Sequence, residues 1–236
     1  IWRAPTDNDR NIRREWERAG YDRTVARVYD SKAEQTDEGV VITAELALSA
    51  IYLQRILNMK AQWKILLDGR IHLSLHAERS PEFPFLPRFG LRMFLPRAFD
   101  SVEYFGYGPF ESYSDKHRAS MLGKYESSVA DLHEDYIRPQ ENGSHCGCLH
   151  LAVSNALGGC LEAVGDNFAF NASPYTQEEL ASKAHNYELK PCGSTVLCLD
   201  YKQSGVGSNS CGPALLPQYR QEETSFDYDV EIRLSR

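Results

Sequence analysis

Ser225-Phe226-Asp227-Tyr228-Asp229-Val230-Glu231-Ile232-Arg233-Leu234 alternates polar and apolar residues without a break. Phe226, Tyr228, Val230, Ile232 and Leu234 fall on one side; Ser225, Asp227, Asp229, Glu231 and Arg233 fall on the other. A period of two marks a β-strand, because successive side chains point to opposite faces. One apolar face and one wet face are the habit of antiparallel sheets. The same period recurs upstream at Val40, Ile42, Ala44, Leu46 and Leu48, and again at Ile71, Leu73, Leu75 and Ala77. Opposite the latter run lie His72, Ser74 and His76, a polar face that either lines a ligand groove or is simply wet.

Helical signals are few. Asn11 to Ala19 is rich in Arg and Glu, with Ile12 and Trp16 four apart and Gly20 as a C-terminal stop. A second short helix is predicted from Thr176 to Ala184, capped by Thr176 or Ser173. Turn-rich stretches occupy Pro81 to Pro87, Gly106 to Pro109, Asn155 to Gly159 and Ser204 to Pro213. With no repeat, low-complexity tract or linker, the pattern predicts one all-β domain over residues 1–236: a large antiparallel β-sandwich.

Thirty-three acidic residues against 26 basic give a net charge of −7, which argues against nucleic acid or an anionic membrane as partner. The longest apolar runs are too short to span a bilayer. The start, Ile1-Trp2-Arg3-Ala4-Pro5, has neither a basic nor an apolar leader segment, and reads as a piece of a longer chain. The six cysteines, Cys146, Cys148, Cys160, Cys192, Cys198 and Cys211, are irregularly spaced in a large chain, which predicts free thiols. Cys146-Gly147-Cys148 with His150 lacks the spacing of a structural zinc site, and reads as a strand with its thiols on one face.

Four segments are polar, aromatic and glycine-rich beyond the needs of loops: Arg3 to Asp9, Tyr104 to Tyr113, Tyr136 to Gly143 and Gly205 to Pro213. Rings that stack on a pyranose beside acids and amides that bind its hydroxyls are sugar-binding chemistry; equally, such rings pack with satisfied tips and the glycines permit turns. No phosphate-cradling loop or nucleophile elbow occurs. Neither Gly106-Tyr107-Gly108 nor Gly205-Val206-Gly207 has the third glycine of a dinucleotide site. Glycoside hydrolysis needs two placed carboxylates, for which Glu111 and Glu141 are candidates by composition alone.

Trp2-Arg3-Ala4-Pro5-Thr6-Asp7-Asn8-Asp9 resembles the R-A-P-x-D-N-D signature of the C-terminal, small-chain region of lactose-hydrolysing β-galactosidases in glycoside hydrolase family 2. Gly106 to Asp115 is similar to that region's G-x-G-P-x-E-x-Y-x-D. Pro139-Gln140-Glu141-Asn142-Gly143 with Cys146-Gly147 resembles its P-x-E-N-G and C-G, Phe170 to Tyr175 its F-N-x-S-x-Y, and Gly205-Val206-Gly207 the start of its late loop. The motifs keep one order from the first residues almost to the last.

The resemblance implies a supersandwich like that of sugar mutarotases, with two large antiparallel sheets, here lacking its first strands. It implies a parent enzyme that hydrolyses β-D-galactosides with retention. The two catalytic glutamates would lie in a separate TIM barrel, so neither Glu111 nor Glu141 takes those roles. The late loop would rim the galactose pocket, making Ser208, Asn209, Ser210 and Cys211 candidate substrate contacts, with Asp7 and Asn8 beside them. Cys211 stands where relatives carry an aromatic ring, and a thiol offers no such stacking face. The resemblance implies no cofactor in this domain, allows Mg and Na ions in the intact enzyme, and points to a cytoplasmic homo-oligomer whose partners are the remaining domains and the galactoside. Two other readings remain open: a mutarotase using His72, His76, His145 or His150 with Glu111, Glu141 or Asp200, and a non-catalytic carbohydrate-binding module.

Overall fold

The alternating stretch forms a strand whose Phe226, Tyr228, Val230 and Ile232 are all buried, while Leu234, at its end, is 60% exposed. The structure is a computed structural model describing residues 1–208 and 210–235. Its strands are β1 (Val25–Thr36), β2 (Gly39–Ser49), β3 (Leu57–Leu66), β4 (Arg70–Arg79), β5 (Arg88–Pro96), β6 (Ser101–Gly108), β7 (Met121–Ser128), β8 (Ser144–Ser154), β9 (Cys160–Ser173), β10 (Ser194–Gln203) and β11 (Ser225–Ser235). Every pairing among them is antiparallel.

One layer runs β1-β2-β3-β4-β11-β9-β8-β6-β7, and β10 joins β9 to β5. The two layers share β9. Its first part, Cys160 to Val164, pairs with β11, and its last part, Ala169 to Ser173, pairs with β10. Between these parts Asn167 has a positive φ of 58°; across from it, Gly147 has φ 66° and the β8–β9 register slips on either side of Cys148. Such bulges bend strands, and a strand that switches sheets forms the corner of a sandwich. The two expected sheets are therefore continuous through one strand. The β5–β10 layer folds over β11: Phe89 meets Phe226 edge-on at 4.9 Å, Tyr201 stacks on Phe226 at 5.0 Å, and the Tyr228 hydroxyl donates to the Leu199 carbonyl at 3.1 Å. Burying each such side chain stabilises the fold by about 1.5–3 kcal/mol, an upper figure because unfolded chains already bury some area.

Both helices form where expected. Helix α1 (Ile12–Ala19) buries Ile12, Trp16 and Ala19 and ends on Gly20 in the left-handed region. Its Trp16 indole donates to the Phe85 carbonyl at 2.8 Å. Helix α2 (Gln177–Ser182) is capped by Thr176, not Ser173.

Several expectations need correction. Gly106 to Gly108 is strand, not turn: a Cβ at Gly106 would lie 2.5 Å from the Cys148 thiol, and one at Gly108 2.3 Å from the Tyr104 hydroxyl. These glycines serve close packing. On β2, Leu46 and Leu48 pack half-buried against the core, whereas Val40, at the far end of the same face, is exposed. Cys148 enters the core, whereas Cys146, across the bulge, lines a surface cleft, so the two thiols do not share a face. All six cysteines are free. Strand β1 shows no clean alternation and is exposed at every position.

Candidate functional site

The loop that follows β10 is held from three sides. Arg3 is fully buried and grips Asp9 through two bonds, Nε to Oδ2 at 3.1 Å and Nη2 to Oδ1 at 2.7 Å. The same guanidinium donates to the Ser204 carbonyl and, at 3.0 Å, to the Gly205 carbonyl. Asn8 donates from Nδ2 to the Val206 carbonyl at 2.6 Å and accepts at Oδ1 from the Ser210 hydroxyl at 2.9 Å. On the third side the Asp115 carboxylate accepts from the amides of Val206, at 2.9 Å, and Gly207, at 2.7 Å. A Cβ at Gly205 would stand 2.4 Å from the Asp115 carboxyl carbon, so glycine is required for the carboxylate to approach. Charge-assisted bonds of this kind are stronger than neutral ones.

The structure brings some of the predicted site residues together and leaves others apart. Asn8 and Ser210 touch. Ser208 is half-buried in the loop and Cys211 is exposed beside Ser210, while Asn209 lies outside the described residues. Asp7 is exposed and turned elsewhere: its amide donates to Gln140 at 2.9 Å and its carboxylate lies 4.0 Å from Arg138. Asp115, whose carboxylate holds the loop amides, is not singled out by the sequence reading. It ends a quoted motif, but its partners are about ninety residues away, and only the fold joins them.

Glu111 and Glu141 are both bound to structural partners, and the second Glu141 oxygen is buried without one. Glu111 accepts from Lys116 and Tyr136 at one oxygen and from the Gly143 amide at the other, 2.9 Å away. Glu141 is buried against Arg88 at 3.3 Å, within a network in which Arg88 also holds Asp200. Burial raises the Glu141 carboxyl above its ordinary value, against the opposing pull of Arg88 and Arg3. A carboxyl so enclosed offers no surface to a glycosidic bond.

The histidines are similarly committed. His72 pairs with Glu231 at 3.0 Å and His76 with Asp227 at 2.7 Å; Ser74 and His76 line a shallow groove of about 470 Å³. His150 lies 4.0 Å from Glu162. His145 is buried and stacked on Phe170 at 5.2 Å, with Nδ1 3.0 Å from the Tyr107 carbonyl. The same Nδ1 lies 3.1 Å from the Tyr104 hydroxyl. Burial lowers the His145 imidazole from 6.5 to about 4. The folded state thus binds this proton less readily than the unfolded chain, and stability present above pH 6.5 is lost as pH falls towards 4. At 1.36 kcal/mol per unit the loss is about 3 kcal/mol. Urea midpoints measured down this range are expected to fall, and His145→Gln is expected to flatten the slope; an equal slope in the variant assigns the effect to other groups.

Among the described residues, no helix is long and apolar enough to cross a membrane, and no group of three or more His, Cys, Asp or Glu is placed to hold a metal ion. Among solved structures, an aldose epimerase homologue from C. elegans covers 87% of this chain and 67% of its own at a TM-score of 0.38 and 9% identity, a likeness too slight to build on. A β-galactosidase of Actinobacillus pleuropneumoniae is 49% identical over 98% of the chain, and one of Staphylococcus xylosus 36% identical over 99%. The chain spans 23% of the length of each. The family model described as beta galactosidase small chain matches residues 1–234, a span that takes in Arg3, Asn8 and Asp115 together with the loop they hold, and the chain belongs to that family.

Proposed function

We propose that this chain is a non-catalytic region of a β-galactosidase that shapes the sugar pocket by presenting the loop from Gly205 to Pro213 to its rim. The observation that carries this reading is the convergence of Arg3, Asn8 and Asp115 on the loop backbone at Ser204 to Gly207. Two family motifs, about a hundred residues apart in sequence, spend polar groups of Arg3, Asn8 and Asp115 on fixing this one loop. A loop anchored this way is preorganised, which lowers the ordering cost of binding. Glu111 and Glu141, being committed to structural partners, leave the two catalytic carboxylates to another domain, as this reading requires. His145 is buried, and His72, His76 and His150 pair with Glu231, Asp227 and Glu162 rather than with Glu111, Glu141 or Asp200, which favours it over a mutarotase.

In this reading the intact enzyme hydrolyses β-D-galactosides such as lactose with retention, as a cytoplasmic homo-oligomer. Residues 1–236 form one sandwich domain of it, and any Mg or Na requirement resides in the remaining domains. The test is nitrophenyl-β-galactoside hydrolysis by the intact enzyme. Asp115→Ala releases two amides from a carboxylate and is expected to raise KM about ten-fold with little change in kcat. Cys211→Trp restores a stacking ring and is expected to lower KM. A KM indifferent to both substitutions would show that the loop does not meet the substrate. The isolated chain is expected to be inactive; activity surviving repurification would overturn the proposal.

A further inference from the structure

A cleft of about 620 Å³ opens where the two layers part around β9, in the range typical of small-molecule sites. Its position follows from the fold: the bulges at Gly147 and Asn167, which let β8 and β9 bend, form part of its wall. Tyr107, His117 and Tyr201 give it ring surface, and Phe168 and Ala169 add apolar area. Asp166, Asp227 and Asp229 border it as hydrogen-bond acceptors. Asp227 is engaged by His76, so Asp166 and Asp229 are the carboxylates that remain for a ligand.

Two further lining residues, Tyr113 and Gln203, are 2% and 6% exposed. The Gln203 Oε1 has no hydrogen-bond partner among the described residues. Buried polar atoms normally have partners, and those that lack them call for an explanation. Burial and the nearby Glu141 and Glu111 hold the Tyr113 phenol well above its ordinary range, so it stays a donor.

The lining selects among ligand classes. Carboxylates repel an anion, and the one lysine of the wall, Lys202, is tied to Glu223 at 2.6 Å. A small, strongly hydrated cation gains little from the rings and apolar floor. A pyranose offers hydroxyl donors to acids and amides, and C–H faces to rings. We propose that this cleft is a saccharide-binding site for a neutral pyranoside, apart from the loop at Gly205 to Pro213 and formed wholly within this chain.

The test titrates the 236-residue chain with methyl β-D-galactopyranoside and with lactose, followed by saturation-transfer NMR, beside galactosamine as a cationic probe. Saturable binding of the neutral sugars, about millimolar, is expected. Asp166→Asn with Asp229→Asn changes two exposed residues outside the core and is expected to weaken that binding about ten-fold. Asn8→Ala, which removes a loop anchor and lies outside the cleft wall, is expected to leave it unchanged, so this site and the loop can fail separately. Absence of saturable binding, binding indifferent to the Asp pair, or binding of galactosamine alone would each overturn the proposal.

Discussion

Arg3→Ala is expected to lower the unfolding free energy by about 3–5 kcal/mol, the cost of stranding one partner of a buried ion pair. The substitution leaves the Asp9 carboxylate buried with the Thr6 amide, 2.9 Å away, as a remaining donor. It also strips donors from the carbonyls of Ser204 and Gly205 and a cation from the ring of Trp16, 5.4 Å away. Arg3→Lys is expected to rescue little, because one ammonium cannot reproduce a planar fork serving a carboxylate and two carbonyls. Urea unfolding gives the stability, and hydrogen exchange at Val206 and Gly207 reports the loop. A loss below about 1 kcal/mol, the size of an exposed pair, with unchanged exchange would refute the anchoring role.

Asp200→Ala is expected to be comparably severe, again about 3–5 kcal/mol. Asp200 lies on β10 opposite Gly90 of β5 and is 1% exposed. Its carboxylate takes two bonds from Arg88 and one from Gln203 at 3.1 Å. Without it the buried guanidinium of Arg88 keeps only Glu141, at 3.3 Å. Asp200→Asn keeps acceptor and shape but removes the charge, and is expected to fall between wild type and alanine. Urea midpoints of the three proteins should rank in that order; an asparagine variant as weak as alanine would show that charge, rather than hydrogen bonding, dominates the site.

The two substitutions concern residues whose importance the sequence conveys unequally. Arg3 and Asp9 lie six apart within one quoted motif, so their pairing is local and their joint role is partly legible. Arg88 and Asp200 are 112 residues apart, lie in no quoted motif, and meet only because β5 pairs with β10. Asp115 is intermediate: its motif marks it, yet its role as an anchor depends on the loop at Val206 arriving beside it.

By itself the sequence determined the all-β class, the buried face of β11, the short helix closed by Gly20 and the family motifs in their order. These are properties of neighbouring residues: alternation fixes which face a side chain takes, and a left-handed glycine ends a helix wherever it occurs. Only the tertiary structure decided that β9 serves both layers, that Gly106 and Gly108 belong to a packed strand, and that Glu111 and Glu141 are spent on Lys116, Tyr136, Gly143 and Arg88. The physical reason is that desolvation and pairing depend on what surrounds a group in space. A carboxylate has the same local sequence whether it faces solvent or a buried guanidinium, and register between distant strands settles which of these it meets.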